Sequence, residues 1–443
     1  MSNSEPTIQV GVLSAPTIEF VLNGSFTTPT GTVFSGNQQA VFQDGKLWFD
    51  NQHFDELILE PGTQDDSFDL IDVVIGIGFH WERKETQRFR GAIKIIPTVG
   101  TGRDLSLTAI NRIPVEDYLT SVISSEMSAT ASDELLKAHA VISRSWLLSS
   151  PLNPPKGDLK SLPIREVGGA YIKWYERDAH THFDVCADDH CQRYQGITRA
   201  TTAAVEKAIE ATRGEVLMYD DKICDARFSK SCGGTSETFE SCWAPEHHPY
   251  LSKVIDNPAV PEGFELDLTV EANAEKWIRK SPEGFCNTSD KKILSQVLNN
   301  YDLETTDFYR WKVEYTQAEL SEIICRRSGI DFGEIMDLIP IKRGESGRII
   351  ELKIVGTKQT VIVGKELEIR KWLSNSHLYS SAFVVDKPEI INGIPQHFTL
   401  IGAGWGHGVG LCQIGAAVMG EKGYKYDEIL LHYFRGAELK RIY

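Results

Sequence analysis

The sequence predicts an α+β fold, with an antiparallel β-rich N-terminal part, a mixed core carrying a helical hairpin, and an inserted small α+β module. Three observations predict it. Short alternating apolar runs, separated by turn residues, fill residues 7–100. Apolar residues then recur at helical spacing in two adjacent segments, one after Pro114 and one after Ser132. Between 256 and 375, helix-period and strand-period runs form a separate group before the chain returns to strands. The expected divisions are 1–105 for the β-rich module, 106–255 for the first part of the core, 256–375 for the insert and 376–443 for the second part of the core.

With 443 residues, 41% of them hydrophobic, the chain can bury a substantial core spread over two or three domains. No window approaches the ~18 consecutive apolar residues of a membrane span. The start, Met1-Ser-Asn-Ser-Glu-Pro6, has neither a basic n-region nor an apolar h-region. A formal net charge of -16 argues against general affinity for nucleic-acid backbones. Any anionic ligand must therefore be met by a few local Lys or Arg residues. Eight cysteines are too sparse for a disulfide-scaffolded domain and suit a metal site plus single buried thiols.

Taken in order, Ile8–Leu13 and Ile18–Leu22 alternate as strands, and shorter runs recur near 39–42, 47–50, 57–60 and 93–96. Pro97 and a Gly-Thr-Gly turn at Gly100 follow. Pro114, a favoured first helical residue, opens a helix with Val115, Tyr118, Leu119, Val122 and Ile123 on one face. Ser128-Ala-Thr-Ala-Ser132 breaks it. Ser132 is a suitable N-cap for a second helix reaching Leu148, with Asp133 and Glu134 in its first turn. Thr202–Thr212 reads as a helix closed by Gly214, and a strand at 215–219 turns at Asp220-Asp221 into a second at 222–229. In the insert, helices are expected around 274–280, 290–298, 316–326 and 332–337, and strands at 349–355 and 359–363. Two short helices close the chain.

Several groups can carry chemistry. Glu126 continues the apolar face of the first helix, where a carboxylate must be paired or protonated, as a general acid is. Lys137 and Arg144 share one face of the second helix at i, i+7 and, in a hairpin, can face Glu126. Cys186, His190 and Cys191, with either His180 or His182, give a Cys2His2 donor set of the type zinc prefers. With all four positions filled by protein, such a site is closed and structural. The run Phe228-Ser-Lys230-Ser231-Cys232-Gly-Gly-Thr235 ends a strand in a glycine-rich turn, and Lys230, Ser231 and Thr235 suit contacts to sugars or carboxylates. In Gly404-Trp405-Gly406-His407-Gly408-Val409-Gly410, glycine falls on every second residue, which in a strand bares one face of the backbone. Trp405, His407 and the following Gln413 then read as one wall of a groove. Tyr194, Trp243 and Trp405 can stack on sugar rings. Cys232 with His407 is a nucleophile–base pair to weigh against a small buried thiol beside a tight turn, the favoured reading.

In this order, the segments resemble the stage II sporulation protein D and amidase-enhancer group of cell-wall proteins. The resemblance rests on Ile113–Tyr118 through Val122-Ile-Ser-Ser-Glu126-Met127, on Glu134-Leu-Leu-Lys137 through Arg144, and on Asp184 through Gly196. It continues at Ala211–Val216, Ser231–Thr235, Gly344–Arg348 and Gly406–Gly410. Departures are Ser128 where Pro is frequent, Ser143-Arg144-Ser145 where Ala-Arg-Thr is frequent, and Cys412 where Ser is usual. The resemblance implies a lytic transglycosylase that cleaves peptidoglycan glycan strands stripped of stem peptides, with Glu126 as the single acid/base. It implies Lys137, Arg144, Lys230 and His407 along the cleft. It also implies zinc on His180, Cys186, His190 and Cys191, and work in the cell envelope, although no signal peptide is present in this sequence. A non-catalytic glycan-binding enhancer of a cell-wall amidase is the principal alternative. A zinc hydrolase using the Cys/His group is a third.

Overall fold

The computed structural model describes residues 4–76, 82–99, 105–128, 131–150, 152, 165–167, 170–174, 180–188, 190–198, 201–261, 267–297 and 306–443. The Gly-Thr-Gly turn at Gly100 lies outside them.

The N-terminal strands build one large sheet. Its backbone is an antiparallel pairing of Thr7–Ala15 with Leu105–Pro114, in register from Thr7↔Pro114 to Ala15↔Leu107, with a bulge between Gly11 and Leu13. Val185–Cys186 adds to the free edge in parallel, Val10↔Val185 and Gly11↔Cys186. The alternation seen in the sequence is the burial pattern: Ile8, Val10, Ile18, Phe20 and Leu22 all point inward.

Pro114 is the last residue of its strand and also the N-cap of helix α1 (Val115–Glu126), one position earlier than the sequence suggests. Its fixed φ suits either position. Met127 leaves α1 in an extended conformation. Helix α2 (Asp133–Leu148) starts where expected, with the Ser132 side chain accepting the Leu135 N–H. Helix α3 (Ala203–Ala211) is capped in the same way by Thr202, and Gly214 follows at φ +68°. The strand Glu215–Tyr219 pairs on one side with Lys222–Ile223 across Asp220-Asp221, and on the other with the C-terminal strand Glu438–Arg441. The expected continuous strand 222–229 is broken, and Phe228–Ser229 pairs instead, in parallel, with Leu411–Cys412.

The next helices are α4 (Phe239–Cys242), α5 (Glu271–Lys280), α6 (Lys291–Val297), α7 (Gln317–Ser328) and α8 (Glu366–Trp372). Residues 332–337, read as helix, instead lead into the strand Ile335–Arg343, antiparallel to Ile349–Gly356. Pro340, which a helix would not tolerate, sits in that strand. The short strands Arg165–Val167 and Ala170–Ile172 join the same sheet through Ala170↔Ile362. A further sheet sets His397–Ala403 between Arg310–Thr316 and Phe383–Asp386. Helices α9 (Gln413–Glu421) and α10 (Tyr426–Tyr433) return to the hairpin and share its core, with Ile414, Ala417, Ile429 and Leu430 buried beside Leu135, Leu136 and Val141. A separate core around Trp311, Leu352, Ile369 and Trp372 packs between the sheets built from residues 310–403.

Candidate active site and metal centre

Glu126 is the last residue of α1 and is partly exposed, while Leu119, Val122 and Ile123 of the same helix are fully buried. Its Oε1 accepts the backbone N–H of Arg193 at 3.3 Å. The adjacent Gln192 is buried between the two helices, accepting the Tyr118 hydroxyl at 3.2 Å and donating to the Ser143 carbonyl at 3.4 Å.

Among the described residues, neither Lys137 nor Arg144 pairs with Glu126. Arg144 is fully buried in a two-pronged ion pair with Glu116, at 3.0 and 2.6 Å, and donates to the Glu215 carbonyl. In an antiparallel hairpin the end of α2 lies beside the start of α1, so Glu116 rather than Glu126 is within its reach. Lys137 pairs with Glu134 at 2.9 Å, on the side covered by Tyr426. Arg144 is thus held in a buried structural ion pair, and Lys137 in a partly exposed one.

The opposite face of α2 presents a group the sequence reading passed over. His139 is buried, its ring 3.3 Å from Ser143 Oγ and 2.9 Å from Gln413 Nε2, with Phe228 edge-on at 4.7 Å. Burial, reinforced by the charge of Lys230, lowers its pKa to about 3, so the ring is neutral at ordinary pH. The available signal was the i, i+4 spacing of His139 and Ser143 within a helix of apolar residues. Lys230 follows Phe228–Ser229 and donates to the Val297 carbonyl at 2.7 Å. The preceding residue of α6, Gln296, takes the Ser128 N–H on its carbonyl at 3.0 Å and donates to Glu421. The end of α6 therefore touches both the chain leaving Glu126 and the Lys230 ammonium. His139 is hydrogen-bonded to Ser143 and Gln413, and Gln192, next to the Arg193 that holds Glu126, reaches the Ser143 carbonyl.

The glycine-alternating segment is not a strand. Gly404, Gly406, Gly408 and Gly410 all have positive φ, between +74° and +96°, so the chain coils rather than extends. Its close approaches are internal. A Cβ on Gly410 would lie 2.1 Å from the Arg227 carbonyl oxygen, and one on Gly408 would lie 2.4 Å from the Arg348 guanidinium. Trp405 exchanges backbone hydrogen bonds with Ser231 and packs on Phe308 and Tyr379. His407 is partly exposed, its Nδ1 accepting the Val409 N–H at 3.0 Å and its ring against Trp243. Desolvation, then the charges of Arg227, Arg348 and Arg370, push its pKa well down. Arg227 lies over the Trp243 ring at 4.4 Å.

Three expected contacts are core instead. Tyr194 is buried, stacked on Tyr118 and hydrogen-bonded to Asn111. Ser231 is buried, its hydroxyl taking the Gly233 N–H. Thr235 is buried beside the bridge to Ile255. Cys232 contacts Cys286 and Cys412 rather than His407, so it is not paired with an imidazole base.

The Cys/His group does converge. The ligand atoms of His180, Cys186, His190 and Cys191 all lie within 4.8 Å of one another. Cys191 Sγ is 3.3 Å from His180 Nε2 and 3.6 Å from His190 Nδ1, and it accepts the Cys186 N–H. Hydrogen bonding from Cys191, ahead of His180 and His190, holds the Cys186 thiol well below its usual pKa. His182 is exposed and outside this group; it lines a separate cavity of about 740 Å³ with Gln9 and Asp184. A cavity of about 370 Å³ runs past the Cys/His group to Arg193.

Residues 103–219 match the family model described as Stage II sporulation protein. The chain is 23% identical over 338 residues to stage II sporulation protein D of Bacillus subtilis, covering 75% of this chain and 76% of that one. These matches support the stage II sporulation protein D and amidase-enhancer family for this chain. Another relative is an uncharacterized protein of Brachyspira hyodysenteriae, 26% identical over 79% of this chain and 72% of its own length. The amidase enhancer of Bacillus subtilis is 26% identical over 53% of this chain and 32% of its own length. Residues 237–410 match a second model, described as a domain of unknown function. The similarity to stage II sporulation protein D and to the amidase enhancer supports a cell-wall-related role. The family-matched region carries Glu126, His139 and the Cys/His group, and no helix among the described residues is long and apolar enough to cross a membrane.

Proposed function

We propose that the protein is a peptidoglycan lytic transglycosylase that cleaves the MurNAc–GlcNAc bond of peptide-stripped glycan strands, with Glu126 as its single acid/base. The observation that carries this reading is the partly exposed Glu126 carboxylate at the end of α1, held by the Arg193 backbone beside the neutral groups Gln192, Ser143 and His139. Glu421, bonded to the Gln296 that also meets the chain leaving Glu126, is engaged by Gln296 and Lys292. Hydrolysis by two carboxylates needs a second one to activate water or attack the sugar. A transglycosylase needs one. Protonated Glu126 gives its proton to the glycosidic oxygen as the bond to C1 breaks. The resulting carboxylate then removes the proton of the sugar's own 6-hydroxyl as that oxygen bonds to C1. The products are a GlcNAc end and a 1,6-anhydro-MurNAc end, and Glu126 is protonated again. Lys230 and Arg193 supply positive charge for the lactyl carboxylate exposed by removal of the peptide.

Zinc suits the Cys/His group as a structural ion. The two thiols and two imidazoles are the right donors for a closed tetrahedral site. An open position, which a zinc hydrolase needs, would require one of the four to leave.

Glu126→Gln should lower release of anhydro-ended fragments from peptide-free glycan by about 10²–10⁴-fold, the usual contribution of a general acid. Binding to the same glycan should stay nearly unchanged. Mass spectrometry of the products decides, and undiminished release by the variant defeats the enzymatic reading. The second reading, an enhancer of a cell-wall amidase, draws on the relative of that name. It predicts that Glu126→Gln stimulates an amidase as well as the unaltered protein does.

A further inference from the structure

We propose a second metal site, for a thiophilic divalent cation, built by Cys232, Asp256, Cys286 and Cys412. It does not depend on the transglycosylase reading. The four residues come from distant parts of the chain: the turn after Phe228–Ser229, the segment before α5, the loop between α5 and α6, and the N-cap of α9. All four are buried, and their ligand atoms lie within 4.8 Å of one another.

The spacing is that of ligands around an ion. Cys232 Sγ and Cys286 Sγ are 3.7 Å apart. A tetrahedral zinc with Zn–S bonds of ~2.3 Å sets its sulfurs about 3.7–3.8 Å apart, whereas a disulfide draws them to ~2.05 Å.

The surroundings orient the donors as a metal site requires. Asp256 accepts the Cys286 N–H on Oδ2 at 2.8 Å and the Tyr433 hydroxyl on Oδ1 at 2.6 Å. Cys412 Sγ accepts the Cys232 N–H at 3.2 Å. Gly415 leaves room for the Tyr433–Asp256 bond, since a Cβ there would lie 2.3 Å from the Tyr433 oxygen. Such outer contacts fix ligand geometry in protein metal sites.

A bound cation would also balance the charge of its ligands. Asp256 is fully buried and makes no ion pair among the described residues. A buried carboxylate without a compensating charge is strongly disfavoured. A divalent ion supplies that charge, and the half-buried Arg310 guanidinium, which donates to the Gly233 carbonyl and interacts electrostatically with Cys232 and Cys286, adds more. The ion would tie the start of the inserted region to α9 and to the turn that pairs with Trp405.

The test uses full-length protein purified under reducing conditions with zinc present. Metal analysis by mass spectrometry should find two zinc ions per chain, and Cys191→Ser should keep one. X-ray absorption at the zinc edge of Cys191→Ser should show three sulfurs and one oxygen without imidazole. This variant leaves the inner cluster intact, so the test does not depend on how a core substitution folds. Cys286→Ser should likewise keep one ion, now with mixed sulfur and imidazole ligation. A folded Cys191→Ser protein without zinc, or with imidazole still on its zinc, overturns the proposal. So does a native mass showing Cys232 joined to Cys286 as a disulfide.

Discussion

Arg144 shows how much a single buried charge depends on its partner. Glu116 takes two of its hydrogen bonds and also accepts from the Gly214 N–H and the Tyr443 hydroxyl. Replacing Glu116 by Ala strands a guanidinium in the core, and breaking a buried pair in this way costs about 3–5 kcal/mol. Urea denaturation should show a loss of that size, and a loss under ~1 kcal/mol would mean that Arg144 finds another partner. The helical spacing of Lys137 and Arg144 was legible in the sequence. The partner of Arg144 was missed because period was read without direction: the end of α2 returns to the start of α1, where Glu116 sits, while Lys137 pairs with Glu134 of its own helix. His139 was hidden for a different reason. A histidine among apolar helix residues is marked only by Ser143 one turn on, and Gln413, which completes its hydrogen bonds, is remote in sequence.

At the scale of elements, the glycine-alternating segment gave a strong signal and the wrong conformation. Alternation permits a strand with one bare face, but it equally permits alternate left-handed residues, and local sequence does not separate the two. The left-handed φ values serve close packing on residues 227–232 and Arg348. Gly410→Ala should therefore cost more than the ~1–2 kcal/mol of left-handed backbone, because its Cβ meets the Arg227 carbonyl. Gly423→Ala, at φ +90° with open space around it, should show the backbone cost only. Equal shifts in melting temperature would refute the packing argument. The Cys/His group was legible because its ligands fall within twelve residues, while the strand that anchors it was not. Val185–Cys186 hydrogen-bonds to the sheet edge at Val10 and Gly11, and Gly11 leaves room for the Phe183 ring. Chelation should lower the melting temperature and speed amide exchange along Val10–Gly11 and Val185–Cys186. His182→Ala should leave zinc content unchanged. Exchange that stays constant there after zinc removal would separate the ion from the edge it is expected to hold.

For the whole molecule, buried neutral histidines set an acid limit on stability. His139 sits at the meeting of α2, the Phe228–Ser229 strand and α9, so its protonation opposes the packing of all three. Its folded pKa is lowered to about 3 from 6.5, and His377 and His432 are lowered to about 4, each chiefly by burial. In the unfolded chain these rings take up protons near pH 6.5, while in the folded chain they stay neutral. Between those limits the unfolded state binds more protons, so stability falls as pH falls. His139 alone contributes a slope of up to ~1.4 kcal/mol per pH unit between about pH 6 and pH 4. Its contribution is fully present above pH 6.5 and lost as pH approaches 3. His139→Gln can still hydrogen-bond to Ser143 and Gln413 but has no proton to take up. Denaturation midpoints measured from pH 7 to pH 4 should therefore fall less steeply for His139→Gln than for the unaltered protein. The two curves should converge or cross as the pH drops. Parallel curves would show that His139 accepts its proton without unfolding, and that its hydrogen-bonded group with Ser143 and Gln413 opens to water more readily than its packing implies.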